Sequence, residues 1–362
     1  MKEITAIEIV HDELDRGEGN RSPRRASANE YAQLKQIIRQ QGLLEKQPAY
    51  YAYKVLLTVG LLAVGIVFFL VVNIFWLQLL DAVFLAFVSG QIGFLGHDAG
   101  HRQIFNATGK NDIVGFFLGD LLIGMSFTWW VGKHNQHHSH PNEIDMDPDI
   151  AIPIICFSEE DALNRRNFER FVTKYQAFFF FPLLLFVGID LQRTSINFLL
   201  KNKIKNRLFE IAMMVLHYIL YFGMVFSRLN FWQGIIFILV HQMLFGLYLG
   251  LTFAPNHKGM PILEQSSRLD FLHRQVITAR NVYAHPFNDF WYGGLNYQIE
   301  HHLFPSMPRN NLKQAQRVVK AFCQEHEVSY YETSAPRSYQ EILSFLHGIG
   351  APLRKQALHA QG

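Results

Sequence analysis

Three short stretches of the chain concentrate imidazole: HDAGH at 97–101, HNQHH at 134–138 and QIEHH at 298–302. Seven of the 17 histidines lie in them, namely His97, His101, His134, His137, His138, His301 and His302. Residues three or four apart share one face of a helix. His97 and His101 therefore aim at one place, as do His134 with His137 and His138. Gln298 with His301 and His302 repeats the second geometry. Neutral imidazole is a ligand for zinc, copper, nickel or iron. A catalytic zinc ion uses about three protein ligands, so this set is too large for one ion and suits two. Two irons with open positions fit the count. Buried imidazoles at repeated ligand spacing are costly without a partner, which argues against metal-free helix ends. No Ser-His-Asp pattern, glycine-rich phosphate loop or paired carboxylate offers a different chemistry.

The elements that position these residues are apolar. Hydrophobic residues make up 49% of the 362, aromatic residues 14% and charged residues 17%. Soluble domains carry about 25% charged residues, so the composition leans toward a membrane protein. A net charge of +3 excludes nucleic acid as an expected partner. Two cysteines, Cys156 and Cys323, imply neither a disulfide framework nor a thiolate metal site. Residues 1–50 contain no apolar run of the kind a signal peptide carries. They read as a polar tail with one helix near NEYAQLKQIIRQQG, and RRAS at 24–27 reads as solvated tail rather than a kinase site.

A membrane span needs about 20 apolar residues. Spans are expected at 55–75 and 79–96, with a tight turn near Trp76–Asp81, and at 208–226 and 231–253. Residues 113–130 are apolar enough either to span or to lie along the interface. The sequence KNKIKNR at 201–207 holds four basic residues. By the positive-inside tendency, residues 97–206 and both termini are cytoplasmic. Four spans then put all three histidine stretches on one side. A fifth span at 171–190 would separate the third from the others, so that stretch is read as interfacial or re-entrant. His257, in TFAPNHKG at the end of the fourth span, reaches the same boundary and joins the candidate ligands. The expected architecture is all-α and integral to the membrane, with four transmembrane helices, interfacial helices and a cytoplasmic histidine-rich cap. Its parts are a tail at 1–50, a membrane domain at 51–335 and a C-terminal tail at 336–362.

The remaining polar residues read more plainly. His140, before Pro141, is structural. His217 and His241 fall inside spans, and neutral histidines bonded between helices are the expected reading there. His273 and His285 have no assigned role. Asp145, Asp147 and Asp149 in EIDMDPDI lack the glycine and terminal glutamate of a calcium loop. They read as a solvated loop, with support of the imidazoles as the alternative. Trp129 and Trp130 read as interface anchors or as lining for a substrate tunnel. Asn135 and Asn296 read either as ligand-orienting residues or as caps.

Taken together, GHDAGH (96–101), WWVGKHNQHHSHPN (129–142) and FWYGGLNYQIEHHLFPSMP (290–308) resemble the membrane fatty acid desaturase family. The similarity runs from about residue 50 to 335. Gln298 in place of a first histidine resembles the front-end branch and its bacterial relatives. The resemblance implies a di-iron centre held by His97, His101, His134, His137, His138, His301 and His302, with His257 and Gln298 added. It implies dioxygen as co-substrate and a long-chain acyl substrate in the lipid bilayer, two adjacent methylenes of which become a cis double bond. Many front-end relatives carry a fused cytochrome b5 domain with an HPGG motif, and this sequence has none. The expected electron donor is therefore separate, either ferredoxin or cytochrome b5 with its reductase, with residues 201–207 as a docking surface. A bacterial plasma membrane is favoured over the endoplasmic reticulum. The rival readings are an acyl or carotenoid hydroxylase on the same scaffold and a membrane metal transporter. A transporter would place its ligands within the spans, whereas these lie at span ends.

Overall fold

The computed structural model describes residues 23–359. The first 22 residues of the expected tail, and the side chains of RRAS, lie outside the described residues. Among those described, the chain is helical apart from one short pair of strands. In chain order, α1 is Pro23–Gln40, α2 Pro48–Val71 and α3 Phe75–Gly100. α4 (Thr108–Phe116) runs into a π-helical segment at Phe117–Ile123, and α5 is Phe127–Ser139. Next come α6 (Glu159–Asn164), α7 (Asn167–Lys174), α8 (Gln176–Leu184) and α9 (Val187–Lys201). The long α10 (Arg207–Arg228) and α11 (Phe231–His257) precede α12 (Phe271–Ile277) and β1 (Asn281–Val282). Then follow α13 (Pro286–Trp291), α14 (Gln298–Leu303), α15 (Arg309–Glu325), β2 (Glu332–Thr333), α16 (Ala335–Ile349) and α17 (Ala351–His359).

The chain divides into two compact units, each formed from separated segments. The membrane unit holds residues 45–133 and 181–251. The polar unit holds the described residues up to 44, together with 134–180 and those from 252 onward. The sequence reading expects a membrane domain at 51–335 between two tails; the compact units are each assembled from separated segments.

In the membrane unit, α2, α3, α10 and α11 contain 24, 26, 22 and 27 residues, and all four are apolar enough to span a bilayer. The protein is an all-α integral membrane protein. Half of the apolar stretch of α3 is buried against 17% for α2 and for α10, so α2 and α10 present most of their side chains outward. The first turn falls at 72–74 rather than at Trp76–Asp81, because Trp76–Asp81 are already helical. Gln78 explains the shift. Its amide donates to the Val72 carbonyl at 2.8 Å and the Phe69 carbonyl at 3.3 Å, satisfying the orphan end of α2. His241 meets the Tyr221 hydroxyl at 2.8 Å and the Ser89 hydroxyl at 3.3 Å, and His217 Nδ1 lies 2.8 Å from the Leu121 carbonyl. Both are hydrogen-bonded between elements, as expected.

The two ambiguous stretches are broken helices. Thr108–Ile123 and Phe127–Ser139 meet at 109°, and Gln176–Leu184 and Val187–Lys201 at 71°. Neither is a straight span; each bent pair has the form of a broken span or of a re-entrant loop. At the end of α9, Arg207 donates to the Leu199 carbonyl at 2.7 Å and the Leu200 carbonyl at 3.2 Å. One of the four cations of KNKIKNR thus closes a helix, while Lys201, Lys203 and Lys205 stay exposed.

The polar unit draws both expected tails into its core. In α1, Leu34 and Ile38 are fully buried one helical turn apart, with Leu272, Ile299, Leu303 and Phe304 among the same apolar cluster. Tyr31 donates to the Leu303 carbonyl at 2.9 Å. At the other end, Glu341 of α16 accepts from the fully buried Arg280 at 2.6 Å. Arg280 also donates to the carbonyls of Pro255 and Lys258, both at 2.7 Å, so it fixes the last turn of α11. The amphipathic spacing of α1 and α16 was present in the sequence, but their charged flanks made them look solvated.

Candidate metal centre

The helix carrying the second histidine stretch is anchored at its start. Four N–H groups at a helix N-terminus lack intrahelical partners. In α5 the Phe127 N–H donates to Asp120 at 3.0 Å, the Thr128 N–H to Glu210 at 3.3 Å and the Trp129 N–H to the Ser126 hydroxyl at 3.2 Å. Glu210, fully buried, also accepts from the Ser126 hydroxyl at 2.6 Å and from the Thr128 hydroxyl. Glu210→Ala would strand these donors, at a cost of about 3 kcal/mol. The expected result is a lower thermal midpoint in detergent, partly restored in Glu210→Gln, which keeps one acceptor. An unchanged midpoint for Glu210→Ala would remove this capping role.

Three imidazoles from distant parts of the polar unit converge. Ligand atoms of His137, His257 and His302 all lie within 4.8 Å of one another. The Nε2 atoms of His137 and His257 are 3.3 Å apart. The opposite nitrogen of each ring faces an acceptor. His137 Nδ1 is 3.0 Å from Asp147, His257 Nδ1 is 2.9 Å from the Thr278 carbonyl and His302 Nδ1 is 2.8 Å from Gln275 Oε1. A proton on each Nδ1 donates outward and directs the Nε2 lone pair inward. Metal-bound histidines are held in this way. His134, His138 and His301 extend the cluster, with His138 Nε2 3.1 Å from the Nε2 of each of the other two.

The acceptors are themselves fixed. Asp147, buried in the loop after α5, accepts from the Asn142 N–H at 2.7 Å and the Asp149 N–H at 2.8 Å. Burial pushes its carboxyl up, but the His137 bond outweighs this and holds it below the usual carboxylate range. Asp147 therefore supports an imidazole and is not part of a solvated loop, a correction to the sequence reading. Asn142 has a positive φ of 55°. Its side chain ties this loop to the carbonyls of His257 and Pro261, each at 3.1 Å. Gln275 donates to the His138 carbonyl at 2.8 Å while accepting from His302, and so joins the second stretch to the third.

In the third stretch, Gly293 and Gly294 take positive φ values of 57° and 84°, turning the chain into the short α14. The Ile299 N–H donates to Asn281 at 2.9 Å. Buried Glu300 accepts from the Asn281 amide at 2.7 Å and the Tyr330 hydroxyl at 2.8 Å. Burial pushes Glu300 up to about 7, against the pull of those two donors. Gln298 reaches the histidines, its Nε2 lying 2.9 Å from His257 Nε2 while its Oε1 accepts from Asn256 at 3.0 Å.

In the membrane unit, α3 ends with the first pair. The rings of His97 and His101 are 4.6 Å apart, and His97 Nδ1 is 3.3 Å from Asp98. Trp130 meets both rings edge-on, with centroids at 5.5 and 6.3 Å. Gly100 permits that approach, because a Cβ there would lie 2.5 Å from the indole. Trp130 thus packs on the histidines.

The remaining sequence candidates separate cleanly. His140 pairs with Glu143 at 3.0 Å, as expected of a structural residue. His273 pairs with Asp270 at 2.6 Å, and His285 accepts from the Phe287 N–H at 3.2 Å. The Asn296 amide donates to Asp289 at 3.0 Å. Sequence reasoning missed Asn142, Asn256, Gln275, Thr278 and Arg280. Gln275 alone left a signal, as a glutamine beside the apolar Leu272, Val276 and Ile277. Thr278 acts through its backbone carbonyl, which no side-chain pattern reports.

An all-α membrane chain with an imidazole cluster braced in this way has the design of a membrane-bound metalloprotein. Residues 74–334 match the family described as fatty acid desaturase, and the chain belongs to that family. It is 30% identical over 337 residues to the Acyl-lipid (9-3)-desaturase of Physcomitrium patens, covering 90% of this chain and 64% of the moss protein. It is 31% identical over 319 residues to the Delta(6)-fatty-acid desaturase fat-3 of Caenorhabditis elegans, covering 83% and 70%. A Delta(8)-fatty-acid desaturase of Euglena gracilis is 28% identical, with 92% and 83% covered.

Proposed function

We propose that this protein is an oxygen-dependent fatty acyl desaturase that introduces a cis double bond into a long-chain acyl substrate at a di-iron centre. The observation that carries this reading is the triad of His137, His257 and His302, each ring braced at Nδ1 and turned inward at Nε2. A donor set built from imidazoles suits iron among other transition metals. We assign His97, His101, His134, His137, His138, His257, His301 and His302 as ligands. Gln298 joins them after its amide turns over together with that of Asn256. That exchange preserves their mutual bond and presents Oε1 to the cluster.

Bound iron, with dioxygen, supplies the oxidising power that an unactivated methylene requires. The chain's own residues do the rest. Asp147, the Thr278 carbonyl and Gln275 hold protons on three Nδ1 atoms and so keep three lone pairs aimed inward. Glu300, Asn281 and Tyr330 hold α14 in place, and Arg280 holds the end of α11. Ferredoxin or cytochrome b5 with its reductase are the candidate carriers of the reducing equivalents. The exposed Lys201, Lys203 and Lys205 favour an acidic one. The same lysines favour a cytoplasmic face for residues 97–206.

The test is a fatty-acid profile of a host expressing the chain or its His301→Ala variant, with derivatisation to locate double bonds. A new unsaturated chain in the first and not in the second is expected, and it reads out the bond position. Hydroxylated acyl chains or carotenoids in its place would move the assignment to an oxygenase. Matching profiles from a folded, iron-loaded protein with a supplied electron donor would overturn it.

A further inference from the structure

The break between the π-helical segment Phe117–Ile123 and α5 holds two acids that the metal centre does not use. Both belong to the membrane unit. Asp120, Ser126 and Glu210 are each fully buried, and the carboxyls of Asp120 and Glu210 are in hydrogen-bonding contact. An ionised carboxylate only accepts hydrogen bonds. Two of them this close in a buried site cannot both be charged, so the contact contains a proton.

The donors say which acid carries it. Glu210 accepts from the Ser126 hydroxyl at 2.6 Å, the Thr128 N–H at 3.3 Å and the Thr128 hydroxyl. It also faces the N-terminus of α5, which favours negative charge. Asp120 accepts on Oδ1 from the Phe127 N–H at 3.0 Å, and no donor among the described residues reaches its Oδ2. Ionised, Asp120 would leave that oxygen buried and unsatisfied, which is costly. Neutral, the same oxygen carries the O–H that donates to Glu210. A hard cation also takes carboxylate oxygens, but here both hydroxyls donate to Glu210 and the helix end repels positive charge.

The charged and titratable groups of the neighbouring elements have other contacts. On α10, Arg207 lies one turn before Glu210 and donates to the Leu199 and Leu200 carbonyls. His217 Nδ1 lies 2.8 Å from the Leu121 carbonyl, and Tyr218 donates to the Gly124 carbonyl at 3.0 Å. α9 sends the uncharged Gln192 to the Ile123 carbonyl at 2.8 Å, while its Asp190 and Arg193 pair at 2.7 Å. α3 meets the π-helical segment at Gly96, where a Cβ would lie 3.9 Å from Leu118, and its His97 and Asp98 are 3.3 Å apart. On α4, Asp112 pairs with Arg102 at 2.6 Å and Lys110 lies over the Phe105 ring. α5 has no charged side chain before Lys133.

We infer that Asp120 and Glu210 form a proton-binding site, in which one proton shared between the two acids closes the break before α5. Its loss to water leaves two adjacent buried carboxylates, whose repulsion loosens the contacts with Ser126, Phe127 and Thr128. Trp130 follows Phe127 by one turn and packs on His97 and His101, so the site bears on the first histidine pair. The folded chain binds a proton that an aspartate in water releases below neutral pH. The stability it contributes is therefore present in acid and lost as the pH rises.

The test uses the 362-residue iron-loaded protein in nanodiscs, as the parent, Asp120→Asn and Asp120→Leu. With isotope-labelled aspartate, infrared spectra at neutral pH should show the carbonyl stretch of a buried, protonated aspartic acid, absent from Asp120→Asn. Raising the pH from about 6 to about 10 should remove that band and lower the parent's thermal midpoint by about 3 °C more than that of Asp120→Asn. The asparagine keeps an acceptor for Phe127 and a donor for Glu210 without titrating. Asp120→Leu keeps neither and should melt lower at every pH. Acyl conversion should fall at least about threefold further in the parent than in Asp120→Asn over the same range; this arm alone rests on the desaturase reading. A spectrum without the band, or a band that survives Asp120→Asn, would overturn the proton site. Equal pH dependence of the two midpoints would overturn its role in closing the break. A parent midpoint raised at high pH by sodium or calcium chloride, with Asp120→Asn indifferent, would replace the proton by a cation. Band and midpoint shift without conversion at any pH would uphold the site and count against the desaturase reading.

Discussion

His257→Ala, expressed at normal levels and correctly inserted, makes less than about 1% of the unsaturated product and retains less iron per chain. Losing a residue that only braces a metal ligand costs about 10–100-fold, and loss of a ligand should exceed that. His257 is the informative choice because it belongs to none of the three short stretches. Its case rests on position alone, with Nε2 3.3 Å from that of His137 and Nδ1 held by the Thr278 carbonyl. His140→Ala is the control. His140 lies two residues past the second stretch but bonds to Glu143, so that variant should keep its iron and most of its activity. Iron measured by plasma spectrometry and product by gas chromatography decide the matter. Equal behaviour of the two variants would demote His257 to an ordinary boundary residue.

The second large effect belongs to a carboxylate. Asp147→Asn lowers conversion and iron affinity by about 10–100-fold, less than loss of a ligand. The carboxylate accepts from His137 Nδ1 and from the N–H groups of Asn142 and Asp149. An amide has one acceptor oxygen, and its NH2 group would face a donor. The graded result separates bracing from ligation. Titrating iron into metal-free protein should show weakened but saturable binding for Asp147→Asn and loss of stoichiometry for His257→Ala. If Asp147→Asn bound iron as tightly as the parent, the bracing role would be wrong.

How much of this was legible in the sequence depends on the range of each interaction. The seven clustered histidines announced themselves because their spacing is local and periodic. The four spans followed from runs of apolar residues, and His257 from its place at the end of one. The braces were hidden. Gln275 meets the His138 carbonyl 137 positions away, and Asn142 meets the His257 carbonyl across 115. No spacing rule reaches that far. The tails misled for a different reason, since charge counted over residues 1–50 hides the two-residue apolar stripe of Leu34 and Ile38. The turn near residue 73 was misplaced because Gln78 and Asp81 looked like turn residues, whereas Gln78 caps α2 from within α3.

The braced triad also dictates an order of events in the life of the chain. Translation delivers His137 and Asp147 early, His257 with Gln275 and Thr278 about a hundred residues later, and His302 later still. The last turn of α11 is held by Arg280, whose carboxylate partner Glu341 emerges after every histidine of the cluster. Domains fold as units once their segments are available, so a growing chain holds only part of the triad while its spans are already inserting. On the di-iron reading, the metal would then be acquired after synthesis, and its binding would add to the stability of the finished fold. Cells short of iron should accumulate inserted but weakly folded protein, a ready substrate for membrane proteases.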